Sequence, residues 1–292
     1  MSAVSQRIDK QSLKTLSEPN LHYWTKDLIL DWLILMLVIS SAYFFPNPFT
    51  VILCLLVVGN RQHALAILGH EGTHYRISHN RKLNDFLSNI LCFWPLGLTA
   101  SGYRILHNKH HRNTGTEHDP ELAHKRSRSP QWDLPASPSR ILKYAFLDII
   151  GLSLPDYWII VSYSKPEKNT EYVPLALWHI VFLSTCLITG FWWVALLWYI
   201  CLVTTFMMSF RLRLWLEHQG TSETHRLHLT PLQAAILAPH NIWLHWEHHK
   251  YVSIPYFNLP KVREGIQGSP IMKLDDLITF FRTAPQSKSG EI

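Results

Sequence analysis

Cysteine is scarce: four occur in 292 residues (Cys54, Cys92, Cys186 and Cys201), all in apolar surroundings and none in a Cys-x-x-Cys pair. That excludes a disulfide framework and speaks against a thiolate metal site. An apolar leader is also lacking, since residues 1–20 are polar and mixed in charge, and no cleavable signal peptide is expected. The most consequential shortage is of charge. Residues 28–60 hold one carboxylate, Asp31, and no Lys or Arg, while residues 173–210 hold no Lys, Arg, Asp or Glu. Stretches of that length without a polar face are not ordinary amphipathic surface helices, and they imply an integral membrane protein. The net charge of +6 does not point to nucleic acid, because the basic residues lie between and beyond the apolar stretches without aromatic interleaving. A basic aqueous face beside anionic lipid is the simpler reading, and twelve Trp suit interfacial belts.

Residues 1–27 read as a polar arm, with an interfacial helix around 21–26. Spans are expected at about 28–45, 49–69, 173–189 and 191–210, paired as two hairpins by the turn at Pro46-Asn47-Pro48 and by Gly190. Residues 86–100 are short and interrupted by Pro95 and Gly97, so a re-entrant segment is expected there. Four prolines between His118 and Arg140 suggest an extended loop. Residues 141–161 suggest an amphipathic helix on the membrane surface. Two hairpins put both termini, residues 70–172 and everything after 210 on one face, which the positive-inside rule makes cytoplasmic. The fold expected is all-α: a membrane-embedded four-helix bundle at 28–262 with a cytoplasmic helical cap, followed by a tail at 263–292.

Eighteen histidines are not scattered evenly. His245, His248 and His249 stand at i, i+3 and i+4, which on a helix is one face of about one turn. The same spacing recurs at His107, His110 and His111, and His70 with His74 makes an i, i+4 pair. Eight imidazoles exceed what one ion takes, about four to six ligands, so two metals held together is the economical inference. His218, after the fourth span, is a ninth candidate. His63, seven residues before His70, is either a hydrogen-bonding neighbour of that pair or an interior histidine.

These boxes closely resemble the membrane fatty acid desaturase superfamily, whose signature is HxxxH, HxxHH and HxxHH. They stand here as His70-Glu71-Gly72-Thr73-His74, His107-Asn108-Lys109-His110-His111 and His245-Trp246-Glu247-His248-His249. Asn113-Thr114 and Asp119-Pro120 after the second box, and 254–260 after the third, resemble the family's continuations, so the likeness runs over roughly 28–262. It implies a di-iron centre on His70, His74, His107, His110, His111, His218, His245, His248 and His249, using O2 to attack an unactivated C–H bond of a lipid chain. The metal carries the hard chemistry while the protein positions and excludes water. Carboxylates near the boxes, Glu71, Asp119, Glu217 and Glu247, are candidates to orient the imidazoles. His240 competes with His218 as the ninth ligand, and the spacing before the third box favours His218. His79, His118, His225 and His228 exceed the family's set and are expected not to ligate.

No fused haem motif (His-Pro-Gly-Gly) is present. A separate electron donor of ferredoxin or cytochrome type is therefore implied, with Arg104, Lys109, Arg112, Lys125, Arg126 and Arg128 as an expected landing patch. Desaturation of an acyl chain is the first reading; hydroxylation or ketolation of a carotenoid or other long apolar substrate stays open within the superfamily. A membrane zinc protease is a distant rival, because residues 70–74 also satisfy His-Glu-x-x-His, with Glu71 as general base. It leaves both HxxHH boxes unexplained.

Overall fold

Helices make up nearly all the regular structure in the computed structural model, which describes residues 8–285. Residues 1–7 of the expected arm and 286–292 of the expected tail lie outside the described residues. In order the helices are α1 (Lys10–Leu16), α2 (Leu21–Phe44), α3 (Pro48–Thr73), α4 (Arg81–Ser88) and α5 (Ala100–Asn113). Next come α6 (Pro120–Ser127), α7 (Pro138–Ile149), α8 (Leu154–Tyr163), α9 (Tyr172–Ile188) and α10 (Trp192–Val203). The chain continues through α11 (Thr205–Glu217), α12 (Pro231–Leu237), α13 (His245–Lys250), α14 (Leu259–Gly265) and α15 (Leu274–Thr283). Two short strands, β1 (Leu227–His228) and β2 (Met272–Lys273), pair in parallel. The chain forms two compact units: Leu21–Leu106 with Tyr144–Arg211, and Met1–Asn20 with His107–Lys143 and Leu212–Ile292.

Four helical stretches are long and apolar enough to cross a membrane: Leu21–Phe44, Pro48–Thr73, Asn169–Ile188 and Trp192–Glu217. The first starts earlier than composition suggests, so residues 21–26 are its opening turn rather than a separate interfacial helix. The reason is a buried anchor, Trp24, whose indole N–H donates to the Leu68 carbonyl at 3.0 Å. The second starts at an Asn47 cap with Pro48 behind it and runs on through His70 to Thr73. The fourth breaks at Thr204 and resumes as α11. There Thr205 donates to the Leu55 carbonyl, and a Cβ on Gly59 would lie 2.4 Å from Thr205 backbone carbon. A glycine is what lets the two backbones approach so closely.

Several polar groups inside this unit are paired across helices, as an apolar medium favours. Arg61 reaches Asp31 at 2.7 Å, with Asp31 wholly buried. Gln62 donates to the Trp198 carbonyl at 2.9 Å, and Trp198 stacks on Trp32. Residues 86–100 fold as the end of α4, a π turn at Asn89–Phe93 and a 3-10 turn at Trp94–Leu96, closed by Gly97 at φ +69°. Its freed carbonyls are met from other helices: Trp198 donates to Pro95 and Tyr157 to Leu96, each at 2.8 Å.

Two further sequence expectations fail for identifiable reasons. The stretch from His118 to Arg140 is not all extended loop, because Asp119-Pro120 is an N-cap with proline at the first helical position and opens α6. The stretch 141–161 is two helices, α7 and α8, bent by 80° around Gly151 at φ +90°. Asp148 there is buried against Arg211 at 2.6 Å and Ser153 at 2.6 Å.

In the second unit, Trp132 and Trp215 stack at 5.5 Å and Phe281 of α15 meets Trp215 edge-on at 5.0 Å. The α1 region is tied to the segment after α13 by Ser17 to Ser253 (2.9 Å) and by Asn258 donating to the Leu16 carbonyl (2.9 Å).

Replacing Asp31 with leucine strands the Arg61 charge, which is expected to cost about 3–5 kcal/mol. Asp31→Leu should lower the thermal midpoint in detergent, and Asp31→Leu/Arg61→Leu should recover most of it; a double variant as unstable as the single would show that the pair is not the cause.

Candidate metal centre

Helix periodicity does in three dimensions what the spacing promises. On α5, His107 and His111 point their Nε2 atoms to within 2.9 Å of each other, and His248 of α13 brings its Nε2 to 3.1 Å from that of His111. A second group forms beside the first. His110, His218, His245 and His249 hold their ligand atoms within 4.8 Å of one another, with Nε2 separations of 3.2 Å (His110–His218), 2.9 Å (His218–His245) and 3.1 Å (His245–His249). Helix α5 therefore feeds both groups, its i and i+4 positions going one way and its i+3 position the other. Helix α13 does the same.

The far side of each ring decides what the near side offers. The Nδ1–H of His110 donates to Asp119 at 2.9 Å, and Asp119 is fixed in turn as the cap of α6 and by the Gly115 N–H. His218 donates to the Glu223 carbonyl at 3.0 Å. His245 Nδ1 lies 3.3 Å from Glu217, whose carboxylate Arg213 grips at 2.6 Å. Placing the proton on Nδ1 leaves each Nε2 with a bare lone pair aimed inward. Burial, foremost, lowers His218 to about 3 and drives His245 well below the usual range, so both stay neutral. For His110 burial opposes charge, yet the Asp119 hydrogen bond and the charges of Glu121, Asp119 and Glu217 raise it. Neutral imidazole lone pairs crowded at about 3 Å repel one another unless a cation sits among them, and an all-nitrogen donor set fits iron as it fits zinc, copper or nickel.

In the other unit, His70 lies in the last turn of α3 and His74 is its C-cap, their Nε2 atoms 3.3 Å apart. Burial, then the charges of Arg76 and Arg104, lower His74 to about 3. The carbonyls at this helix end are held by three side chains that composition did not single out for the task. Ser88 donates to Gly69 (3.1 Å), Asn84 to Gly72 (2.8 Å) and Arg104 to Gly72 and Thr73 (3.0 and 2.9 Å). A Cβ on Gly72 would sit 2.5 Å from that of Ser88, so the glycine inside the first box is a packing requirement. Glu71 is buried, with its carboxylate 3.7 Å from His70 Nδ1.

Other candidates are placed elsewhere. His63 packs between the rings of Phe206 and Phe210. Glu247, wholly buried, turns to Arg226 and Arg263, each at 2.9 Å, and so braces α13 from behind. His240 adopts φ +53° against Tyr256 and belongs to neither histidine group. The expected basic patch shrinks: Arg104 is bound to backbone carbonyls and Asp85, and Lys125 is buried, paired with Glu121 at 2.7 Å. Lys109, Arg112 and Arg126 remain exposed. Arg213, Glu121 and Glu223 were missed from sequence, since nothing in their spacing distinguishes them from ordinary charged residues.

Long apolar helices together with a buried cluster of imidazoles fit a membrane protein that binds metal. The model of the family described as "Fatty acid desaturase" matches residues 46–271, and the chain belongs to that family. It is similar to the "sn-1 acyl-lipid omega-3 desaturase (ferredoxin)" of Nostoc sp. (strain 36), 26% identical over 87% of this chain and 76% of the relative. It is also similar to the "sn-2 acyl-lipid omega-3 desaturase (ferredoxin), chloroplastic" of Arabidopsis thaliana, 28% identical over 52% of this chain and 35% of that protein. The "Omega-3 fatty acid desaturase, chloroplastic" of Brassica napus is 26% identical over 52% and 38%. The chain thus spans little more than a third of the two plant relatives.

Asp119→Ala removes the acceptor that fixes the His110 tautomer and is expected to weaken metal retention about 10–100-fold. A chelator titration of purified protein, read by elemental analysis, checks this; retention equal to wild type would show that Asp119 serves only as a helix cap.

Proposed function

We propose that this chain is an O2-dependent di-iron desaturase that introduces a C=C bond into the acyl chain of a membrane lipid. The four-histidine group on α5, α11 and α13 is the observation that carries the reading. One iron would be held by His110, His218, His245 and His249; His107, His111 and His248 would serve the other, and the resemblance adds His70 and His74 of the first box to the ligand set. When bound, the pair supplies with O2 the oxidising power to take two hydrogens from adjacent CH2 groups, O2 leaving as two waters with two electrons and two protons supplied from outside. The residues would hold the ions, keep His74, His218 and His245 neutral through burial, orient His110 and His218 through their Nδ1 hydrogen bonds, and exclude bulk water.

The relatives' names make an acyl-lipid substrate, the omega-3 position and a ferredoxin donor the first identities to test. We infer a cytoplasmic side for the histidines and both termini, a reading supported by the turns around Asn47 and Gly190, which carry no Lys or Arg. Family membership removes the support for a zinc protease. Glu71→Gln would abolish a protease and only adjust a desaturase.

Expression in a host lacking the product, with lipid analysis, should show a new double bond near the methyl end of the acyl chains. The purified protein should hold about two irons, as nine ligands at four to six per ion imply, and His248→Ala should lose iron and product together. A hydroxylated or ketonised product would move the chain to another branch; one zinc indifferent to His248 would overturn the reading.

An acidic one-electron carrier would meet Lys109, Arg112 and Arg126 on the exposed side of α5 and α6. Reversing all three to Glu should cut donor-dependent turnover about tenfold or more with iron content unchanged. Turnover unaffected by the reversal would dismiss this docking face.

A further inference from the structure

Away from the histidines, the segment before α7 and the end of α15 flank an open surface pocket of ≈ 320 Å³ lined by Pro135, Ala136, Ser137, Arg140 and Arg282. The Ala136 N–H donates to the Phe281 carbonyl at 2.7 Å, and this fixes the two segments side by side. Two guanidiniums and a hydroxyl line the space, and no lining residue is a carboxylate. Arg140 spends one NH2 group on the Asp133 carbonyl, while its Nε–H is buried and has no partner. The Asp133 side chain accepts from the Ser129 hydroxyl at 2.7 Å. Arg282 is exposed and makes no ion pair among the described residues.

Two like charges at one pocket whose lining holds no carboxylate repel each other, and an oxyanion between them turns that cost into attraction. Arginine presents paired N–H groups that match the oxygens of phosphate, which a lone ammonium does not. The source of the anion follows from the helix that begins here. Two and six residues after Arg140, α7 leaves Leu142 and Phe146 exposed, four residues apart on one face. A basic start followed by an apolar face is how a helix lies at a bilayer surface, headgroup at one end and acyl chain alongside.

We propose that the Arg140–Arg282 pocket binds the phosphate of an anionic membrane lipid headgroup. The site is separate from the metal centre and lies beyond the desaturase reading, so its occupant is a resident lipid or a substrate carrying the same phosphate.

Full-length metal-loaded protein in neutral detergent is titrated with a fluorescent phosphatidylglycerol, read by anisotropy. Saturable binding is expected, weakened at least tenfold in Arg140→Gln/Arg282→Gln and not competed by neutral diacylglycerol. Arg282→Gln alone, at an exposed position, should weaken binding at least threefold and carries the test if the double variant does not fold. Binding unchanged in the variants overturns the site, and competition by inorganic phosphate at the same concentration as by lipid overturns the lipid assignment. The His248→Ala protein should bind the lipid as wild type does, so loss of desaturation and loss of this site are read separately.

Discussion

The convergence of neutral imidazole lone pairs is the constraint on which the rest of the structure depends. Four Nε2 atoms at about 3 Å from their neighbours cannot be left facing one another in a buried space without a compensating cation. Each ring must also be prevented from escaping by protonation or by flipping to its other tautomer. Burial does the first for His218 and His245, hydrogen bonds from Nδ1 to Asp119 and to the Glu223 carbonyl do the second for His110 and His218, and the Glu217 carboxylate lies 3.3 Å from His245 Nδ1. Those carboxylates are themselves held, Asp119 by the start of α6 and Glu217 by Arg213.

The same accounting governs the apolar unit, with the sign of the problem reversed. There the cost is of polar groups in a medium without water, and it is met pair by pair: Asp31 with Arg61, Asp148 with Arg211, Gln62 with a backbone carbonyl. The broken segment at 89–97 is possible because donors from α8 and α10 reach the carbonyls that its turns release. Its neighbour α4 closes the end of α3 through Asn84 and Ser88, which ties the position of the first box to a segment with no ligand of its own.

Much of this was legible in the chain because histidine spacing and charge-free runs are local signals. The i, i+3, i+4 pattern needs only the helix period to become a cluster, and residues 173–210 need only their composition to become spans. What was hidden depends on pairing at a distance. Arg104 and Lys125 look like surface charges until Asp85 with the Gly72 carbonyl, and Glu121, are seen beside them. Asp119-Pro120 looked like loop punctuation for want of the fact that proline after an Asp cap starts helices as readily as it ends them. Glu247, inside a box, faced away from the rings because two arginines, one of them 21 residues earlier, draw it there.

That last case bears on how the third box works. Three histidines on six residues of helix leave α13 almost no hydrophobic anchoring, and a helix so short has little stability of its own. Two guanidiniums on one buried carboxylate supply the missing hold. Arg226 also donates to the Ile266 carbonyl and lies over the Trp246 ring, and the latter packs against Gly268. The box is therefore oriented from its rear face by charge while its front face presents only neutral nitrogen. Exchanging those roles, with a carboxylate facing the cluster and an imidazole facing the arginines, would give a site of mixed donors and an uncompensated cationic rear. The placement of Glu247 between His245 and His248, on the opposite side of the turn, keeps the two apart.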